Sequence, residues 1–145
     1  MLCEEKSMVL KEEKSIAAVL YYHKEYLLLK YGLGHWEFVK GHIEPGETEK
    51  ETIMRELKEE TGIADAMIIE GFKENYDYFF TSGKNKIHKF VTCYLIKSYT
   101  QDISLSYEHV GYKWLPFKSA RKQLTYNNAK KILTKAHNFQ ILTSN

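Results

Sequence analysis

Residues 41–63 read GHIEPGETEKETIMRELKEETGI, and the reading of this stretch decides how the rest of the chain is understood. Gly41 to Gly46 holds two glycines and a proline in six residues, which marks a shaped loop. Glu47 to Thr61 contains neither Gly nor Pro and is rich in Glu, Lys, Met and Leu, so it predicts an amphipathic helix of about four turns. Ile53 and Leu57 form its core stripe, with Met54 beside them. Early glutamates suit the helix dipole, and Gly62 stops the helix. On such a helix Glu56 and Glu60 share one face, ~6 Å apart along the axis, with Glu59 on the flank. Like charges at that spacing repel, and a cation between them reverses the sign. Hard divalent ions such as Mg²⁺ or Mn²⁺ take oxygen ligands of this kind, usually a few carboxylates together with substrate phosphates. Taken alone, a glutamate run also reads as a solvated acidic face.

The spacing extends further than the helix. Five residues separate Gly41 from Glu47, and seven more lead to Arg55-Glu56-Leu57-Lys58-Glu59-Glu60-Thr61-Gly62-Ile63. Written out, this is G-x5-E-x7-R-E-U-x-E-E-x-G-U with U a bulky apolar residue, and all nine specified positions are filled. The pattern resembles the Nudix box, the signature of hydrolases that act on a nucleoside diphosphate linked to another moiety. That resemblance implies an α+β fold, a Nudix-type α/β/α sandwich with a mixed central sheet and a loop-helix-loop motif. It also implies Mg²⁺ (or Mn²⁺) as cofactor. Glu56, Glu59 and Glu60 would be its ligands, the Gly41 carbonyl a further one, and Arg55 with Glu47 a brace between helix and loop. On the residues alone, Arg55 also reads as a surface partner of Glu51 or Glu59.

Around the motif, Ser15 to Tyr22 and Glu25 to Tyr31 are apolar runs parted by His23-Lys24, read as a β-hairpin or as adjacent strands. Trp36 to Val39 alternates and predicts a third short strand. Ala66 to Ile69, Phe72 to Phe80, Ile87 to Ile96 and Tyr112 to Leu115 read as strands, with Thr81 to Lys86 as a turn. Phe117 to Leu124 and Asn127 to Phe139 have helical spacing, the latter with Ala129, Ile132, Leu133 and Ala136 on one stripe. Strands, one helix, more strands and C-terminal helices predict an α+β sandwich rather than a βαβ array. At 145 residues the chain is about one domain long, and residues 1–145 are expected to form it.

The resemblance narrows beyond the box. Phe38-Val39-Lys40-Gly41-His42-Ile43-Glu44-Pro45-Gly46-Glu47 resembles the F-P-K-G-H-x-[DE]-P-G-E of asymmetric diadenosine tetraphosphate hydrolases, with Val39 standing where that family has Pro. Ile68 to Phe72, Leu105 to His109 and Trp114-Leu115 resemble further segments of the same family. The resemblance places Glu108 against the metals, as a ligand or as the base that positions water; the alternative is a loop carboxylate partnered by His109. Tyr126 resembles the family's base-stacking tyrosine. On chemistry alone, Lys40 is either a point charge for a substrate phosphate or an exposed lysine. His42 either donates to a phosphate or packs the loop. Lys84 and Lys86 either clamp a polyphosphate or keep a hairpin turn soluble. Tyr76, Tyr78 and Phe80 alternate on one strand face, as core or as a surface for a purine.

The implied function is metal-dependent hydrolysis of nucleoside polyphosphates, with asymmetric cleavage of diadenosine tetraphosphate to ATP and AMP foremost. A pyrophosphohydrolase of nucleoside triphosphates or RNA 5′ ends would use the same box. A nucleotide-binding sensor without turnover is the reading from another class. The net charge of +2 conceals −4 between Gly41 and Ile63 and +7 between Ala66 and Asn145, the asymmetry expected of a site for cations and a polyanion together. No GxGxxG or GxxxxGK[ST] motif occurs, and no specific nucleic-acid partner is expected. No apolar run approaches the ~20 residues of a membrane helix. Cys3 and Cys93 read as reduced thiols, and Met1 to Lys14 lacks an apolar signal core, so a cytoplasmic location is expected.

Overall fold

The computed structural model describes residues 9–143. In chain order its elements are β1 (Val9–Tyr22), β2 (Glu25–Tyr31), β3 (Trp36–Glu37), β4 (Val39–His42), α1 (Glu49–Thr61), β5 (Ala66–Ser82), β6 (Asn85–Ser98), β7 (His109–Pro116), α2 (Phe117–Gln123) and α3 (Asn127–Thr143). The strands form one seven-stranded sheet with the path β3-β2-β1-β6-β5, where β4 also pairs with β1 and β7 with β2. β1 and β6 run parallel, in register from Val9–Asn85 to Tyr21–Lys97, and the other pairs are antiparallel.

Strand alternation sorts the core into two layers. Ile16, Ala18, Leu20, Leu27, Leu29, Tyr94 and Ile96 pack toward Ile53 and Leu57 of α1. Ala17, Val19, Tyr26, Leu28, Val91, Cys93 and Leu95 pack toward Ala120 of α2 and Ala129, Ile132, Leu133 and Ala136 of α3. The expected α/β/α sandwich with a mixed sheet is therefore the fold.

The helix starts at Glu49 rather than Glu47, because Thr48 takes the cap: its hydroxyl accepts from the Glu51 N–H, and the Glu51 carboxylate accepts from the Thr48 N–H. Gly62 ends it in the left-handed conformation at φ 78°, its N–H bonding the Lys58 carbonyl. The expected Trp36–Val39 strand is two strands, since the chain changes partner at buried Phe38: β3 pairs with β2 and β4 with β1. Gly41 and His42 belong to β4, not to the loop. The two strands expected across 66–80 are one strand, with a register shift between Ile68 and Lys73 where Gly71 adopts φ 93°. The turn expected over Thr81–Lys86 shrinks to Gly83 and Lys84, because Thr81–Lys86 and Ser82–Asn85 are paired. Cys93 is a buried free thiol, held well above its ordinary pKa by burial, and Cys3 lies outside the described residues. Among the described residues no helix is long and apolar enough to cross a membrane.

Candidate active site

Two cavities open side by side, and Lys40 lines both. The first, about 480 Å³, lies where β4 meets α1. A Cβ at Gly41 would sit 2.0 Å from the Glu56 carboxyl carbon, so any larger residue here would push the Glu56 carboxylate out of its place against β4. Arg55 organises the floor. Its Nε and Nη2 donate to the two Glu47 oxygens at 2.6 and 3.0 Å, Nη1 donates to Glu56 and Glu59 at 3.1 Å each, and Nη2 also reaches the His42 carbonyl at 3.1 Å. These bonds are the Arg55–Glu47 brace the sequence anticipates, with the Glu59 contact made as well. The Arg55 guanidinium holds the Glu47 carboxyl down to about 2.

Glu60 lies behind Glu56 and is only 6% exposed. Burial first, then the neighbouring carboxylates of Glu56 and Glu108, push its pKa up to about 9. Its Oε1 lies 3.4 Å from His109 Nε2, yet neither atom has a hydrogen-bond partner. Burial keeps His109 below the usual imidazole range, and its Nδ1 meets the Ser106 hydroxyl at 3.2 Å. The segment carrying these residues docks on the helix end, with Ser104 N–H to the Thr61 carbonyl at 2.8 Å and Ser106 N–H to the Glu60 carbonyl at 3.2 Å. This docking brings exposed Glu108 to the rim of the same cavity. His109 lies against Glu60, and among the described residues no ion pair or hydrogen bond joins it to Glu108, whose charge still acts on its ring.

The donors fit a hard divalent cation. They are carboxylate and carbonyl oxygens, and one of them, the buried Glu60 Oε1, has no hydrogen-bond partner. They are not drawn into a finished cage: among the described residues no three His, Cys, Asp or Glu groups converge at ligand spacing. Glu56 and Glu60 lie together, whereas Glu59 is 58% exposed and bonded to Arg55.

The second cavity, about 560 Å³, is aromatic. Tyr76 and Tyr78 present parallel rings 6.2 Å apart, and Phe80 continues the row 6.0 Å further on. Opposite them stand Tyr126, at the start of α3, and His35, whose rings are 5.7 Å apart. His35 in turn stacks on Tyr31 at 4.7 Å. Tyr126 is half exposed. Between the cavities Lys40 Nζ lies 3.7 Å from the buried carboxylate of Glu37.

The structure separates the basic residues. Lys40 and His42 line the carboxylate cavity. Lys84 and Lys86 line neither. Lys84 forms the hairpin turn, where its carbonyl accepts from the Val9 N–H at 3.2 Å. Lys86 lies over the Phe79 ring at 5.1 Å, on the face opposite Tyr78, because neighbouring strand residues point to opposite sides. Lys89 also lines neither cavity but lies nearer to both than those two, beside His42. It is the register partner of Tyr78, its side chain is 9% exposed, and its Nζ lies 3.4 Å from Glu13 and 3.5 Å from His42 Nε2. Sequence reasoning missed it, although a lysine in phase with buried Val91, Cys93 and Leu95 is the available signal. His35, Glu37 and Tyr31 were missed as well, since the end of β2, the loop and β3 together carry no spacing that betrays them.

A family model for the NUDIX domain matches residues 9–136. The chain is 38% identical over 119 residues to the asymmetrical bis(5′-nucleosyl)-tetraphosphatase of Mus musculus, across 79% of this chain and 80% of the mouse protein. It is similar to the crystal structure of a C. elegans Ap4A hydrolase binary complex, with TM-score 0.78 and 31% identity, covering 89% of this chain and 98% of that one. The E. coli dihydroneopterin triphosphate pyrophosphohydrolase structure gives TM-score 0.66 and 25% identity, over 88% of this chain and 96% of that one.

Proposed function

The chain belongs to the NUDIX family of hydrolases, and on that premise we propose that it hydrolyses diadenosine tetraphosphate asymmetrically, adding one water to give ATP and AMP. The observation that carries this is the shared wall at Lys40, which joins a carboxylate basin to an aromatic pocket. Such a substrate needs those two surfaces side by side: π faces for adenine, and charge control for the phosphate chain. The asymmetrical tetraphosphatase activity named for the mouse relative supports the same reading.

Tyr126 and the Tyr76–Tyr78 row hold a base between them. Lys40, with His42 and Lys89 nearby, draws the phosphate chain across toward the basin and holds it for in-line attack. Glu56, Glu59, Glu60, Glu108 and the Gly41 carbonyl would hold Mg²⁺, with Mn²⁺ the alternative. When bound, such a cation neutralises phosphate charge and lowers the pKa of water. Arg55 fixes the loop against the helix, so that the carboxylates keep their spacing. Glu108, at the exposed rim, is the group placed to take a proton from the attacking water. Burial and the neighbouring carboxylates keep Glu60 protonated near neutral pH, so it would carry charge only beside a bound cation. The proposal extends to a single domain over residues 1–145 and to a cytoplasmic location.

The E. coli triphosphate pyrophosphohydrolase neighbour favours a second reading, in which a nucleoside triphosphate is cut to monophosphate and pyrophosphate. Chromatography of products separates the two. Diadenosine tetraphosphate should yield equal ATP and AMP with Mg²⁺ and remain intact without it. An intact dinucleotide beside rapid release of pyrophosphate from triphosphates would replace the first reading by the second.

A further inference from the structure

Among the described residues three buried side-chain atoms lack a hydrogen-bond partner: Glu60 Oε1, His109 Nε2 and Ser15 Oγ. The first two face each other in the carboxylate basin. Ser15 stands apart, in the middle of β1, and is 1% exposed. Burying a hydroxyl without a partner is unfavourable, and native proteins satisfy nearly all such groups.

The surroundings of Ser15 point to what its partner is. β1 runs between β4 and β6, and Ser15 lies opposite His42 on one side and Val91 on the other. Alternation puts its side chain on the face of Ala17 and Val91, the face onto which Tyr76 packs. Lys40 is the register partner of Ala17, and Lys89 that of Glu13, so lysines flank Ser15 two residues away in each direction. Lys89 Nζ reaches His42 Nε2 at 3.5 Å, which carries it from β6 across β1 to β4. The hydroxyl therefore lies beneath a contact at the limit of hydrogen-bond length, between two lysines whose acidic partners are Glu37 at 3.7 Å and Glu13 at 3.4 Å. Burial and the nearby Lys40 disfavour the charged form of Lys89 against the opposing pull of Glu13, and an anion beside it offsets the Lys40 repulsion.

We propose that the Ser15 hydroxyl is a substrate contact, donating a hydrogen bond to a non-bridging phosphate oxygen of the chain gathered by Lys40, Lys89 and His42. A phosphate oxygen is a stronger partner for the Lys89 ammonium than the imidazole is, so its arrival draws Lys89 off the contact and uncovers the hydroxyl. The inference rests on the reading of the chain as a nucleoside polyphosphate hydrolase and adds a specificity residue to it.

Ser15→Ala deletes one oxygen and tests the assignment. Calorimetric titration with inorganic tripolyphosphate in magnesium buffer should show binding weakened about tenfold or more, the loss expected for a hydrogen bond to a charged group. KM for diadenosine tetraphosphate should rise in step while kcat stays within a few-fold. Tm should hold or rise, because an unpaired buried group is gone. Unchanged affinity and KM would overturn the proposal, as would lost binding with a lowered Tm, which would make the hydroxyl part of the scaffold. Absence of tripolyphosphate binding to the wild-type protein would also overturn it. If the wild-type protein leaves diadenosine tetraphosphate intact while the titrations still separate the two proteins, the substrate reading fails and the Ser15 contact stands.

Discussion

The carboxylate basin and the aromatic pocket share a wall but are built in opposite ways. The basin takes most of its residues from one continuous stretch, Gly41 to Glu60, and is held by charge: a single guanidinium bonds Glu47, Glu56 and Glu59 at 2.6–3.1 Å. The pocket takes His35 and Glu37 from around β3, Tyr76 to Phe80 from β5 and Tyr126 to Asn128 from the start of α3. Backbone and hydroxyl bonds at a distance hold it together. Trp36 N–H donates to the Thr125 hydroxyl at 2.8 Å and Thr125 N–H to the Trp36 carbonyl at 3.2 Å, which seats Tyr126 beside His35. Chemistry that depends on charge spacing is written on one helix, whereas recognition is assembled by the fold.

Damage to the basin should therefore appear in turnover, and damage to the pocket in affinity. The largest effect expected is that of Glu60→Gln, which keeps the shape and removes a charge: kcat should fall by at least ~100-fold. In metal-free buffer near neutral pH its Tm should hold or rise, since Glu60 must take up a proton on folding there and the amide need not. Turnover near wild type would break the basin's half of the contrast. Tyr126→Ala should act the other way, raising KM for a dinucleoside polyphosphate by about 5- to 150-fold, the range for one lost base stack, with kcat much less changed. Because Tyr126 is 50% exposed, Tm should barely move, and a clear fall in Tm with constant KM would make it a packing residue instead.

Glu108 sharpens the contrast, since it reaches the basin from a distant segment. Glu108→Gln should lower kcat and leave KM within a few-fold. Both constants at wild-type values would reduce it to a rim carboxylate. The smallest effect concerns the seat of α1 on the sheet. Burial works against the charge on Glu49, but bonds from Lys14 on β1, Tyr94 on β6 and Lys73 on β5 outweigh it and hold the group from 4.5 down to about 2. A depressed carboxylate stabilises the fold above its unfolded pKa, and that stability is lost as pH falls from about 4.5 toward 2. Glu49→Gln should thus cost about 2–4 °C of Tm at pH 7. The gap to wild type should close as the pH drops through that window, and thermal melts at a series of pH values measure it.

From sequence alone came the loop-helix motif, the Arg55–Glu47 brace, the buried stripes of α1 and α3 and the sandwich of helices about a mixed sheet. The motif and the stripes depend on neighbours a few residues apart, where helical periodicity dictates who faces whom, whereas the brace and the mixed-sheet sandwich were implied by the resemblance to the Nudix box. Tertiary structure alone decided the rest. It placed Lys89 beside Lys40 and His42, turned Lys86 to the far face, set His35 against Tyr126 and left Ser15 unpaired between two strands. Each of these outcomes turns on register across strands far apart in the chain. In a strand one residue's shift sends a side chain to the opposite face, so a lysine's role is settled by its pairing partner and not by its neighbours in sequence.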